Sequence, residues 1–504
     1  MNLNNGPSFS YTTLLKPFSD NIIAVESPIG PPPTTIVGGG PIGLSTAIML
    51  AKKGFNNVKV YERLSEYPRT DDNRWLNERS YIIGINGRGQ NVLNWLDVMN
   101  KVEEKATTVV GRRDWSPQTD IDSPVEIIND LKVKKYYTKC MQRDLLAACL
   151  LEEIYLKYND KITVTFDVDC KSVNWKNENK EDEVCELEFS KKGDTGVETS
   201  WTESSSFVIG ADGAASVIRN AMSEKGENGF SVKAFPDKNV RIYKTIPLKF
   251  PQNSKLWRKD LNYSVRTKSD INLDALPTKD GTYLAVLLFR PWDNRLNIKS
   301  LPEAKSFFNS LFPMFSSVIK DEDLADFVKK DPVKLPKFMY CGPVLHKGRT
   351  TCLLGDAIHT VKPYFGQGLN SGLEDVKVLS DSLSSSANNV PEALKIFSKK
   401  RSNDVKALVK ISKQLDGGFL TFVLPLIVDG ILHKLAPFFF NPNSIAMLQN
   451  EKLSFSQIRF KKRKDRFFQL VLFGGFLVLN YKIFSLIFRF IFPYLSKIPK
   501  KLIF

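Results

Sequence analysis

Apolar residues in this chain come in short blocks that stop at a glycine or a carboxylate. Ile36-Val37 runs into Gly38-Gly39-Gly40-Pro41-Ile42-Gly43, and an Ala- and Leu-containing stretch from Leu44 to Lys53 follows. Val58-Lys59-Val60-Tyr61 stops at Glu62, Phe207-Val208-Ile209 at Gly210-Ala211-Asp212-Gly213, and Thr351 to Leu354 at Gly355-Asp356. Such runs predict buried strands whose last residues turn and present a side chain. Helical spacing appears at Val92, Leu93, Leu96 and Val98, at Leu146 and Leu150 after Arg143, and at Leu369, Leu373, Val376 and Leu379. Val240 to Phe250 and Tyr283 to Phe289 alternate or run apolar like strands of another sheet, and the charged region Asn174 to Gly196 reads as a surface excursion or hairpin. The strand ends at Gly38, Gly210 and Gly355 lie far apart in the chain. A nucleotide-type α/β fold is therefore assembled from distant pieces, and the intervals build a sheet-based second domain.

Two of these blocks carry chemistry. Gly38, Gly40 and Gly43 form G-x-G-x-x-G between a strand and a helix: a tight turn, close backbone approach to a pyrophosphate, and close helix packing. Glu62, followed by Arg63, stands about the usual 20 residues on, where a carboxylate accepts from a ribose hydroxyl. The alternative is a structural glycine turn. In the second block, Pro363, Gly366 and Gly368 break regular structure before the helix that starts near Leu369. A glycine-rich loop feeding a helix N-terminus offers unpaired N–H groups and positive dipole character to a polarised carbonyl or developing negative charge. An ordinary strand-loop-helix connection is the plainer reading of those glycines.

The segment Gly355-Asp356, Pro363-Tyr364-Phe365-Gly366-Gln367-Gly368-Leu369-Asn370 and Glu374-Asp375 resembles the second flavin motif of the FAD-dependent aromatic hydroxylases, the group A flavoprotein monooxygenases, and most nearly that of kynurenine 3-monooxygenases. Arg79-Ser80-Tyr81 with Asn86-Gly87-Arg88-Gly89, Arg143 with Leu146 and Leu150, and Asp212-Gly213 with Ser216 and Arg219 are similar to further elements of that family. The resemblance implies a Rossmann-like FAD-binding domain interleaved with a sheet-based substrate domain. It implies FAD as cofactor, NADPH as co-substrate and a small aromatic substrate, with hydroxylation of L-kynurenine to 3-hydroxykynurenine as the most specific form. It assigns FAD contacts to Gly38, Gly40, Gly43, Glu62, Arg63, Arg79, Arg143, Asp212, Gly213, Gly355, Asp356, Gly368, Leu369 and Asn370. Pro363, Gly366, Gln367 and Gly368 would lie at the reacting ring, and Arg112 or Arg113 would hold a substrate carboxylate. Where the family adds a Tyr and an Asn for that carboxylate, this chain reads Asp122-Ser123-Pro124-Val125-Glu126-Ile127 and Lys413-Gln414-Leu415-Asp416-Gly417-Gly418.

Composition changes the picture mainly at the tail. The 504 residues carry 71 Lys and Arg against 55 Asp and Glu, a formal charge of +16 that by itself suits nucleic acid. From Glu451 to Phe504, however, twelve Lys and Arg stand against only Glu451 and Asp465, and Arg459, Lys461, Lys462, Arg463, Lys464 and Arg466 directly precede the apolar run Phe467 to Leu479. That run continues past Asn480 and Lys482, and reads as a C-terminal membrane anchor that either spans or lies in the interface. The basic flank predicts a cytosolic catalytic domain. The resemblance points to the mitochondrial outer membrane, with the endoplasmic reticulum as the alternative. No nucleic-acid partner is expected. The six cysteines show no C-x-x-C spacing, so neither a zinc site nor a disulfide framework is indicated, and His359 reads as a packing or hydrogen-bonding residue rather than a metal ligand.

The expected organisation is a disordered leader at residues 1–33, FAD-binding segments at 34–110, 140–230 and 340–400, substrate-domain segments at 111–139 and 231–339, a helical region at 401–460, and basic flank plus anchor at 461–504. Two further functions stay open at this stage: a membrane-bound flavin epoxidase or reductase acting on a lipid, and a non-catalytic, membrane-tethered flavoprotein. The Phe-rich stretch from Phe419 to Val428 and Pro437 to Phe440 either caps the active site, dips into a membrane surface or packs in a core.

Overall fold

The computed structural model describes residues 30–71, 81–193, 197–226, 229–251 and 256–495. Most of the expected leader and Arg79 lie outside the described residues. The central sheet has six strands in the order His346–Lys347, Thr351–Leu353, Phe207–Gly210, Thr34–Val37, Val58–Tyr61 and Ile162–Thr165, all parallel except the first. Phe207–Gly210 is buried along its whole length, as expected of a parallel strand covered on both faces, and helix Pro41–Lys52 is buried on nearly every side. Thr34 pairs with Phe207 and Val208 with Thr351, so the three strand ends seen in the sequence become neighbours.

The second large sheet has seven strands in the order Val333–Lys334, Ile242–Lys249, Thr282–Phe289, Asn272–Pro277, Leu261–Arg266, Gly111–Trp115 and Val125–Ile128. One face carries Trp115, Tyr263, Tyr283 and Leu287 and packs against Phe308, Phe315 and Phe327 of the helical segments Leu301–Leu311, Pro313–Ser316 and Asp321–Lys329. Period-two alternation then turns Arg112, Asp114, Asn262, Asp274, Val286, Thr245 and Tyr243 to the opposite face. The charged region read as an excursion or hairpin belongs to an ordered three-stranded antiparallel sheet, Val168–Lys176, Val184–Lys192 and Glu198–Ser205, laid against the central sheet through Trp175, Leu187 and Phe189.

Helices Gln367–Ser385 and Val390–Leu415 follow the flavin loop, and Phe455–Leu495 is one continuous helix of 41 residues. Its first turns bury Phe455 and Ile458 against Leu408, Phe338 and Val361, forming a third core that touches the flavin loop. Core packing accounts for only part of the Phe-rich stretch: Phe440 is buried and Phe422 packs against the third core, whereas Phe419, Leu420, Phe438 and Phe439 are exposed. All six cysteines are buried free thiols.

Candidate active site

Strands Thr34–Val37, Phe207–Gly210 and Thr351–Leu353 end on one edge of the central sheet, bringing Gly38, Asp212 and Gly355-Asp356 together where open parallel sheets bind ligands. Gly38 has φ +107°, and a side chain there would run into the Ala211 carbonyl; one at Gly43 would overlap the carbonyl of Gly38. Only glycine lets the helix start so close to the sheet. Gly40 is the N-cap of Pro41–Lys52 without a side-chain cap, and a Cβ on it would stand 2.8 Å from Nη2 of Arg143. A guanidinium and an open helix N-terminus thus flank one narrow space, which suits a diphosphate.

Glu62 closes the turn from the side. Its Oε2 accepts from the Gly39 N–H at 2.7 Å and its Oε1 from the Leu64 N–H at 2.9 Å, while the Tyr67 hydroxyl donates to the Gly39 carbonyl at 3.2 Å. Arg63, next in sequence, is exposed, with its side chain outside this cluster of bonds. Arg143 pairs with Asp144 at 2.7 Å and its N–H donates to the Tyr81 carbonyl at 3.1 Å. Burial pushes the Tyr81 hydroxyl up to about 12, with Arg143 opposing and Asp356 and Tyr243 adding to the rise.

Two carboxylates stand at these strand ends. Asp356 is surrounded by protein yet open to the cleft; burial raises its pKa, against the pull of His359 and Arg143. Asp212 caps helix Val217–Glu224 through Oδ2, which accepts from Val217 at 2.7 Å, and its buried Oδ1 has no protein partner among the described residues. Gly213 follows with φ +77°. Both acids are placed to accept from the hydroxyls of a nucleotide or ribityl chain.

The loop after Asp356 is a short turn, Pro363–Phe365, ending at Gly366 in the left-handed region (φ +59°), which is the N-cap of Gln367–Ser385. No side chain caps that helix, so its first N–H groups at Gln367, Gly368 and Leu369 and its positive end stay available. Gln367 donates to the Phe365 carbonyl at 2.9 Å, and its Oε1 is buried without a partner among the described residues. Asn370 departs from expectation: its amide donates to Gly84 at 2.9 Å and Gly366 at 2.6 Å and its oxygen accepts from the Asn86 N–H at 3.0 Å. Its side chain latches two loops together instead of reaching a cofactor.

Beneath the loop lies a network that sequence reasoning only half saw. Asp375 is fully buried, accepts from the Gly355 N–H at 2.8 Å, and meets His359 Nε2 at 2.8 Å and Arg401 Nε at 2.6 Å. Burial opposes its charge, but His359, Arg401 and the hydrogen bonds outweigh it and hold the carboxyl below the usual range. Arg401 Nη2 also donates to the Ser371 carbonyl at 2.8 Å. Asp375 stood inside the quoted motif; Arg401, 26 residues away on the next helix, gave no local signal.

The two arginines separate. Arg113 is on the helix-packed face, bound to Glu126 at 2.5 Å and to the Leu256 carbonyl, so alternation along the strand takes it away from the flavin side. Arg112 is on the opposite face with Asp114 at 2.9 Å and its side chain more than half exposed. The two expected carboxylate anchors therefore lie on opposite faces of the seven-stranded sheet, Arg112 on the face the helices leave open.

The glycine cradle, the Arg143 guanidinium and the partnerless acceptor of Asp212 fit FAD. The FAD binding domain family matches residues 32–412. The chain is 28% identical over 397 residues to a kynurenine 3-monooxygenase of Candida albicans, covering 76% of this chain and 82% of that one. It is 25% identical over 400 residues to that of Saccharomyces cerevisiae, covering 75% and 80%. Among solved structures, a variant of 2-methyl-3-hydroxypyridine-5-carboxylic acid oxygenase shares the fold with TM-score 0.57 at 17% identity, over 83% of this chain and 96% of that one. P. aeruginosa PqsL in complex with 2-aminobenzoylacetate gives TM-score 0.54 at 18% identity, over 76% and 95%. With three quarters of its length matched, the chain belongs to the FAD binding domain family, and its enzyme class is that of the FAD-dependent monooxygenases.

Proposed function

We propose that this FAD-dependent monooxygenase takes electrons from NADPH and hydroxylates L-kynurenine to 3-hydroxykynurenine at a membrane entered by its C-terminal helix. The observation that carries this reading is the placement of the Asp356 strand tip beside the uncapped helix that starts at Gln367. The kynurenine 3-monooxygenases similar over three quarters of the chain support the substrate. Bound FAD would supply the oxygen chemistry that side chains lack. The chain's own part is positioning: Gly40 and Arg143 hold the diphosphate, Asp356 and Asp212 accept from hydroxyls, and the helix end at Gln367 favours negative charge near the ring. Arg112 gives a bidentate contact to a substrate carboxylate in exchange for its pairing with Asp114. The units that do this are residues 34–110, 140–230 and 340–400 for the flavin and 111–139 and 231–339 for the substrate.

Two features support the membrane. Helix Phe455–Leu495 is long and apolar enough to cross one, and its side chains from Phe467 to Phe490 are largely exposed. Beside its base, helix Leu424–Leu435 exposes Leu424, Ile427, Ile431 and Leu435 but buries Asp429, which Lys462 (3.1 Å) and Arg466 (2.9 Å) clamp to the anchor. The mitochondrial outer membrane is the favoured location, with the endoplasmic reticulum as the other. A second reading, a flavin epoxidase or reductase acting on a lipid, draws on the Phe422 ring, which meets Phe365 of the flavin loop at 6.3 Å and joins the exposed apolar segment to the site.

The test is anaerobic reduction of the bound flavin by NADPH in detergent-purified full-length protein, followed by visible absorbance with and without L-kynurenine. Acceleration by kynurenine is expected. Reduction indifferent to kynurenine but accelerated by a lipid extract would replace the substrate with a lipid, and protein purified without flavin would overturn the reading entirely.

A further inference from the structure

Helix Val390–Leu415 and the first turns of Phe455–Leu495 run side by side in the same direction. The Ser456 N–H donates to Asp404 at 2.8 Å where they meet, and farther along Lys410 feels the charges of Arg459 and Arg463. Between them is a cleft of about 290 Å³ lined by Lys406 and Lys410 from one helix and Arg459 and Arg463 from the other, with Asn403 and Ser456 at one end. Each pair of cations is one helical turn apart, a spacing at which like charges repel. Burial, then Arg459, Lys406 and Arg463, with Lys233 adding, lowers the pKa of Lys410; burial and then Arg463 lower that of Arg459. The nearest acids in sequence are both taken, Asp404 by Arg401 at 3.6 Å and by the Ser456 N–H, and Asp465 by Lys462 at 2.7 Å. Among the described residues none of the four cations has a carboxylate within ion-pair distance. Four cations gathered without a counter-charge are a cost that a bound polyanion removes.

Position selects the anion. Arg463 precedes Phe467, where the exposed apolar stretch begins, by four residues, about 6 Å of helix, and Arg459 precedes it by about 12 Å. The headgroup layer outside the hydrocarbon is roughly 5–8 Å deep on each side of a bilayer. With the apolar stretch in hydrocarbon, the Lys410–Arg463 end of the cleft stands at phosphate level and the Lys406–Arg459 end just above it. The exposed ring of Phe460 lies on the rim. We propose that this cleft binds the headgroup of an anionic phospholipid carrying more than one phosphate, an inference that rests on the membrane-anchored reading above. Four cations match a polyvalent headgroup, and the Asn403 amide adds a neutral donor for phosphate oxygens.

Full-length protein in non-ionic detergent is titrated by calorimetry with short-chain phosphatidylinositol bisphosphate, with phosphatidylserine of the same chain length, and with the water-soluble inositol phosphate headgroup. Saturable one-to-one binding of the bisphosphate lipid is expected, tighter than phosphatidylserine. The double variant Lys410→Gln with Arg463→Gln weakens it about thirtyfold, taking roughly a fivefold loss for each cation withdrawn from an anionic lipid. Flavin content and NADPH-dependent reduction stay unchanged, which shows that the variant folds; Lys406→Gln with Lys410→Gln, altering only one helix, repeats the test should the first lose flavin. Unchanged lipid affinity in both variants overturns the proposal, and so does a free headgroup that binds as tightly as the lipid, which assigns the cleft to a soluble phosphate compound. The anchor is tested separately by flotation with neutral phosphatidylcholine vesicles, so failure of the anchor and failure of the cleft give different results.

Discussion

Asp356 is a carboxylate held where its charge is disfavoured unless something donates to it. Burial raises its pKa above the ordinary 3.8, and the groups that oppose the rise, His359 and Arg143, belong to neighbouring elements. Hydroxyl donors from bound FAD would satisfy it, and a charge-assisted bond of that kind contributes about 1.5–3 kcal/mol. Asp356→Ala is therefore expected to weaken FAD binding by roughly ten- to a hundredfold, read by fluorescence quenching on reconstituting the apoprotein. The sign of the pH effect follows from the raised pKa. As pH falls, Asp356 takes up a proton before an ordinary aspartate would, so wild-type FAD affinity should start to fall above pH 3.8 while Asp356→Ala shows no such step. Asp375, whose carboxyl is held low, behaves oppositely: its contribution to stability is complete above 3.8 and is lost only as pH falls below it. A wild-type affinity that stays level down to that pH would remove Asp356 from the cofactor site.

At the scale of elements, the flavin loop is held from outside by one lysine. Lys362 is fully buried; its Nζ donates to Asp237 at 2.9 Å, to the Asn239 carbonyl at 2.6 Å and to Asp416 at 2.9 Å, tying the loop to the segment entering the seven-stranded sheet and to the end of Val390–Leu415. Replacing Lys362 with Met strands two buried carboxylates, a loss of about 3–5 kcal/mol. The expected result is a lower melting temperature with FAD retained, and a smaller yield of hydroxylated product per NADPH because the loop no longer holds one geometry; equal yield at lowered stability would make the clamp structural only. This clamp also shows where sequence reading stops. Gly38, Gly40, Gly43, Glu62 and Asp356 were legible because strand, turn and helix chemistry lies within a few residues of each. Arg88 bonding Glu374 at 2.8 Å across 286 positions, Asn370 holding Asn86, and Lys362 meeting Asp416 are choices of partner made by topology, and a single sequence carries no local trace of them. Arg112 and Arg113 could not be told apart for a related reason: adjacent arginines on a strand face opposite ways, and which face is covered is decided by helices some 200 residues later.

For the whole molecule, the C-terminal apolar helix proposed as the anchor is also part of the folded body. Phe455 and Ile458 are completely buried in the core that also contains Val361 of the flavin loop, and Arg88 lies 4.6 Å over the Phe455 ring. Lys462 and Arg466 neutralise Asp429, which is 1% exposed, beneath the apolar face of Leu424–Leu435. The boundary between catalytic body and proposed anchor therefore falls inside one continuous helix, beyond Gln469, whose amide reaches Asp429 at 3.0 Å. A chain ending at Gln469 keeps both side chains and both cations, and should melt within a few degrees of the full-length protein while no longer resisting alkaline extraction from membranes. A chain ending at Ser454 loses about 1.5–3 kcal/mol for each buried apolar side chain and roughly 3–5 kcal/mol for a buried acid left unpaired. Set against a total stability of about 5–15 kcal/mol, that loss predicts a melting temperature lower by about 10 °C or more, or no folded protein, with FAD released because the loop core opens. Equal melting of the two truncations would mean that the first turns of the helix contribute nothing to the body, and that anchor and enzyme are independent after all.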